Sequence, residues 1–145
     1  MKLNIYIYTT IRTIRKSDGV GVYLLEAVTN KEPVTIDRAM QQADMNFNAA
    51  TLSLLSLAMS HVVRPCEIEI YVDNSYVGNA IAKRWPDKWE NDSWKNAKGK
   101  DIADASDWNT IWTQLRKFCK SPVVHIGEKH AYSSWMESTA KDKEA

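Results

Sequence analysis

Near residue 39 the spacing of apolar side chains changes, and that change restricts the chain to folds that mix strands with helices. Before it, Lys2 to Thr10 sets Leu3, Ile5 and Ile7 against Asn4, Tyr6 and Tyr8, the alternation of a half-buried strand. Asp18-Gly19 marks a turn, and Gly19 to Val28 predicts a second strand. Glu32 to Ile36 predicts a third, with Pro33 at its start, where a missing donor is tolerated. The brief turns predict an antiparallel meander. From Ala39 to Val62, Phe47, Ala50, Leu54, Leu57 and Ala58 recur at helical spacing until Arg64-Pro65 ends the run.

The second half alternates the two patterns. Glu67 to Val72 predicts a strand, Ser75 to Ala82 a short helix, and Pro86, Asn91 and Gly99 punctuate a charged, Trp-rich stretch. Ser106 can cap a helix whose inner face is Trp108, Ile111, Trp112, Leu115 and Phe118. Pro122 to Ile126 predicts a fifth strand, and Tyr132 to about Lys143 a last helix. Helices between the third and fourth strands, and between the fourth and fifth, permit parallel crossovers. The expected fold class is α/β: a mixed five-stranded sheet flanked by helices, its first three strands antiparallel. No repeat or linker divides residues 1–145, so a single domain is expected.

Hydrophobic residues make up 44% of the 145, enough for a core. The most apolar segment, Ala49 to Met59, is broken by Thr51, Ser53 and Ser56 and is too short to span a bilayer. With no apolar leader after Met1, a cytoplasmic protein without membrane contact is expected. Cys66 and Cys119 lie in no zinc-like spacing and read as buried thiols. The net charge of +1 is far from that of a nonspecific nucleic-acid coat, but leaves room for a local basic patch. Six Trp and six Tyr against two Phe supply large amphipathic rings, suited to a core or to stacking.

Three motifs carry a resemblance. Ile68 to Asp73, then Asn74-Ser75-Tyr76-Val77, is an apolar strand that ends in an aspartate before a helix start. Trp85-Pro86-Asp87-Lys88-Trp89, Trp94, Gly99-Lys100 and Trp108 follow at spacings resembling a Trp-rich basic protrusion. Glu128-Lys129-His130-Ala131 is similar to a Lys-Gly-His-Ala loop. Together they resemble ribonuclease H, most nearly the bacterial type-one enzyme, over nearly the whole chain. The resemblance implies a ribonuclease H-like fold, with the first strand central and the fourth and fifth parallel beside it. It also implies cleavage of the RNA strand of an RNA/DNA hybrid by two Mg2+ ions (Mn2+ as the substitute) held by four convergent carboxylates.

On that resemblance Asp73 and Glu137 fall at catalytic, metal-holding positions, and His130 at that of a mobile histidine assisting proton transfer and product release. Asp73 could instead be a helix cap, and Glu137 a solvated residue, since the face Ala131, Trp135, Ser138 and Asp142 leaves its register open. The other two positions depart from the family: Thr10 stands where its Asp-Gly-Ser turn begins, and Asn48 where its first helix carries glutamate. Asp44, one helical turn before Asn48, is a possible substitute. Two carboxylates balance only half the charge of two divalent ions. Losing such groups costs about 3–4 kcal/mol of transition-state stabilisation or more, so little or no hydrolysis is expected.

The candidate substrate contacts are Trp85, Trp89, Trp94, Lys88 and Lys95 on the protrusion, Asn74 beside Asp73, and Arg12. Rings can stack on nucleotides and lysines can neutralise phosphates, but the tryptophans could equally be core. Arg12, Arg15 and Lys16 replace a Gly/Pro-rich turn with a basic tip, suited to phosphate or to a protein surface. Three functions stay open: a binder of RNA/DNA hybrid or duplex that does not cut, an atypical metal-dependent nuclease, and a protein-interaction module.

Overall fold

Strand β1 (Lys2–Thr9) takes the central place because both of its faces can be buried: Leu3, Ile5 and Ile7 on one side, Tyr6 on the other. It pairs antiparallel with β2 (Ser17–Val28), which pairs antiparallel with β3 (Val34–Met45). On its other side β1 runs parallel to β4 (Glu67–Val72), and β4 parallel to β5 (Val123–Ile126). The order is β3-β2-β1-β4-β5, the expected mixed sheet. The structure, a computed structural model, describes residues 1–119 and 121–144.

Helix α1 (Phe47–Met59) lies on the Leu3, Ile5, Ile7 face, starting at Asn46, whose side chain accepts a hydrogen bond from the Ala49 amide. Helices α2 (Ser75–Ala82), α3 (Trp85–Asn91) and α4 (Ala105–Phe118) follow β4, and Trp108, Ile111 and Leu115 of α4 complete this larger core. Helix α5 (Ser133–Glu144) covers the opposite face, where Met136 and Ala140 meet Tyr6, Val20, Val22 and Leu24. No helix among the described residues is long and apolar enough to cross a membrane.

The expected helix from Ala39 is corrected. Residues 39–45 continue β3, paired with β2 from Val34↔Ala27 to Met45↔Ser17. Their helical spacing loses to pairing with β2, which runs through Gln42 and resumes at Met45 after a bulge. Buried Gln42 secures it: its Oε1 accepts from Thr9 Oγ1 at 2.7 Å and its Nε2 donates to the Ala50 carbonyl at 3.0 Å. Asp44 therefore lies on a strand, not a turn before Asn48. With φ of 57° it sits in the bulge before the last residue of β3, its amide donating to Asp18 Oδ1. It is no substitute ligand on the face of α1. Ser106 is likewise not the cap of α4: that place is taken by Asp104, without a side-chain cap bond.

Candidate functional site

The parallel pair β1 and β4 ends at one edge of the sheet, where open α/β sheets place their ligands. Asp73 leaves β4 there, exposed, with the carboxylate reaching outward. β5 exits beside it: the Gly127 amide donates to the Val72 carbonyl, and its φ of 67° turns the loop 127–131 toward the same edge. Helix α5 then brings Glu137 across. Asp73, His130, Lys129, Ser133 and Glu137 consequently line one cavity of about 340 Å³. Residues far apart in sequence meet because the two parallel strands and the final loop end together.

Thr10 and Asn48 belong to the fold. Thr10 follows β1 and its Oγ1 accepts from the Val20 amide at 2.9 Å. Asn48 Oδ1 accepts from Asn74 Nδ2 at 2.8 Å. Asn74, expected as a substrate contact, is instead buried; its Oδ1 accepts from the Val77 amide at 3.0 Å and caps α2. Its side chain is spent inside the protein.

Arg12 is the cation paired with Asp73 at this edge. Its Nη1 lies 2.6 Å from Asp73 Oδ2 and its Nε donates to the Thr9 carbonyl at 2.9 Å. The guanidinium sits 5.2 Å from the ring centres of both Tyr8 and Phe47. The basic tip was legible, but its engagement with Asp73 depends on the parallel register of β1 and β4, which no local pattern specifies.

His130 is half-buried, with its ring 4.4 Å from that of Tyr6. Its Nδ1 accepts from the Tyr132 amide at 3.1 Å, which leaves that nitrogen unprotonated, and burial pushes its pKa down.

Behind it lies a polar-aromatic network that sequence reasoning missed. Glu26 accepts hydrogen bonds from Asn4, Tyr6 and Tyr132. Its burial opposes ionisation, but these bonds prevail and hold its carboxyl below the usual range. Bonding to Glu26 pushes the Tyr132 phenol up to about 12. His125 stacks on Tyr71 at 4.3 Å and bonds both Glu69 and Glu128, each at 2.7 Å. The period-two alternation of β1 and β4 held the signal: Asn4, Tyr6, Glu69 and Tyr71 all point to one face.

The protrusion is largely anchored. Trp85, Trp89 and Trp94 are half-buried against the main core, with Trp89 edge-on to Trp108 at 5.4 Å. Asp87 accepts from Trp112 Nε1 and Arg84, tying α3 to α4. Lys95 pairs with Asp101, while Lys88 is exposed.

The sequence profile of the RNase H family matches residues 4–144. The chain belongs to the RNase H family. A ribonuclease H of Clostridium botulinum is 29% identical over 116 residues, spanning 80% of this chain and 76% of that protein. LC9-RNase H1, a type 1 RNase H with the type 2 active-site motif, superposes with a TM-score of 0.73 at 15% identity, covering 97% of this chain and 71% of that one. LC11-RNase H1, solved with an RNA/DNA hybrid, superposes at 0.61 and 11% identity over 99% of each chain.

Against the carboxylate set that the RNase H resemblance implies, this donor set does not fit a pair of Mg2+ or Mn2+ ions. Such ions need several anionic oxygens. Thr10 and Asn48 offer neutral oxygens already accepting hydrogen bonds, and Asp73 is engaged by Arg12. Among the described residues no three His, Cys, Asp or Glu side chains cluster as a metal site.

Proposed function

We propose that this RNase H-family chain, acting as one domain over residues 1–145, binds RNA/DNA hybrid or another nucleic-acid duplex and hydrolyses it little or not at all. The observation that carries this reading is the neutral pair Thr10 and Asn48, whose oxygens serve internal hydrogen bonds where the family resemblance expects carboxylates. Asp73 and Glu137 are the remaining catalytic candidates and the weak metal ligands, with His130 beside them in one cavity. Binding is supported by the exposed Lys88 on the protrusion, by Arg12 beside Asp73 with the exposed Arg15 and Lys16 on the same turn, and by the hybrid complex of LC11-RNase H1. Trp85, Trp89 and Trp94 support it mainly by holding the lysines in place, since their rings face the core.

The test is cleavage of a labelled hybrid in Mg2+ and in Mn2+, beside gel shifts at several salt concentrations on hybrid, double-stranded RNA and DNA. Salt-dependent binding without turnover is expected. Robust turnover would establish the second reading, an atypical metal-dependent nuclease, which the convergence of Asp73, His130 and Glu137 favours. No binding even at low salt would leave the protein-interaction module.

A further inference from the structure

We propose that Arg12 is the resident counter-cation of the cleft, holding Asp73 in place of a divalent ion and presenting its remaining N–H groups to a phosphodiester without an intervening metal. The phosphate half of this inference rests on the nucleic-acid reading above; the counter-ion half does not.

The position of Arg12 is built rather than incidental. The turn after β1 is pinned by Ile11, which is 2% exposed and whose amide donates to Thr9 Oγ1 at 3.1 Å. That anchor folds Arg12 back over the ends of the parallel strands. Four contacts then hold one planar group: the Thr9 carbonyl, Asp73 Oδ2, and the rings of Tyr8 and Phe47. Ion pairs between mobile surface side chains contribute little because ordering them opposes the attraction. A guanidinium clamped by two rings and a backbone carbonyl is already ordered.

Two consequences follow from charge and geometry. An ion ligated by Asp73 needs the carboxylate that Arg12 engages, and would lie a few ångströms from a fixed positive charge, so the two cations compete. Arginine has five N–H donors, of which Nε–H and one on Nη1 are used here. The rest keep the planar fork that matches phosphate oxygens. The side chain is 38% exposed, open to such a ligand. Arg15 and Lys16 on the same turn are exposed and add positive potential.

The test uses the full chain and two probes. Free Mn2+ is titrated and followed by its electron paramagnetic resonance signal, with no nucleic acid present. R12Q is expected to bind Mn2+ about tenfold more tightly than the native chain, because Asp73 is released and the fixed charge removed. R12K retains the charge without the fork and should stay close to native. Equal Mn2+ affinity in native and R12Q chains would overturn the counter-ion role. The second probe is a fluorescently labelled RNA/DNA hybrid followed by anisotropy. Native binding should be the same in EDTA as in Mg2+ at matched ionic strength, and R12Q should bind about tenfold more weakly. Native binding that requires Mg2+ would overturn the proposal without recourse to any variant. Absence of hybrid binding at low salt would remove the nucleic-acid reading and the phosphate role together, while the Mn2+ titration still decides the counter-ion role.

Discussion

Asn74 sits next to Asp73, yet its side chain turns inward to cap α2 and to donate to Asn48. Asn74→Ala removes the cap and strands a half-buried acceptor, so it should lower unfolding stability by about 1–2 kcal/mol, read from the urea midpoint. A purely ligand-facing residue would leave that midpoint unchanged. His125 gives a pH-dependent counterpart. The hydrogen bond to Glu69, against burial, and then that to Glu128 raise its pKa above the ordinary 6.5. The protonated ring therefore favours the folded chain. This contribution is complete below the unfolded value and is lost as pH rises through the raised folded value. Thermal unfolding of H125Q against the native chain should show the widest gap at about pH 5.5 and a narrow one at about pH 9. His130 runs in the opposite sense, because burial lowers its pKa, so the paired comparison is needed to isolate His125.

At the scale of elements, close packing of α2 on β5 decides how the site edge is held. A Cβ on Gly78 would lie 2.5 Å from Ile126 Cγ1 and 3.2 Å from Val72 Cγ2. In an exposed helix the change to alanine would help by about 1 kcal/mol. Here the clash wins, and Gly78→Ala should destabilise by about 1–2 kcal/mol in denaturant titration. The helices were legible where one face is apolar: Trp108, Ile111, Trp112 and Leu115 predict α4, and all are buried. The start of α1 was not legible, because residues 39–45 suit either state and only pairing with β2 chooses between them. Within the protrusion, composition marks both rings and charges but not which way the rings face; packing on Trp108 turns Trp89 inward.

For the whole molecule, the charge of the cleft is the property to change. Thr10→Asp, Asn48→Glu and Arg12→Gln together restore two carboxylates and remove the competing cation. This triple variant should gain several degrees of thermal stability on adding Mg2+, relative to NaCl of equal ionic strength, as any ligand that binds only the folded state stabilises it. The native chain should not respond beyond the salt control. Such a gain would also show that the sheet edge still presents these positions to a common point. The Val20 amide that bonds Thr10 can equally bond a carboxylate, so the new Asp can be accommodated there.

By itself the sequence determined the mixed sheet and the order of its elements, because alternation and helical spacing are local properties. Only the tertiary structure decided that Asn74 faces inward, that Asp44 lies on a strand, and that Arg12 meets Asp73. Those outcomes depend on strand register and on competition for hydrogen bonds between segments as many as 61 residues apart, which no window along the chain contains.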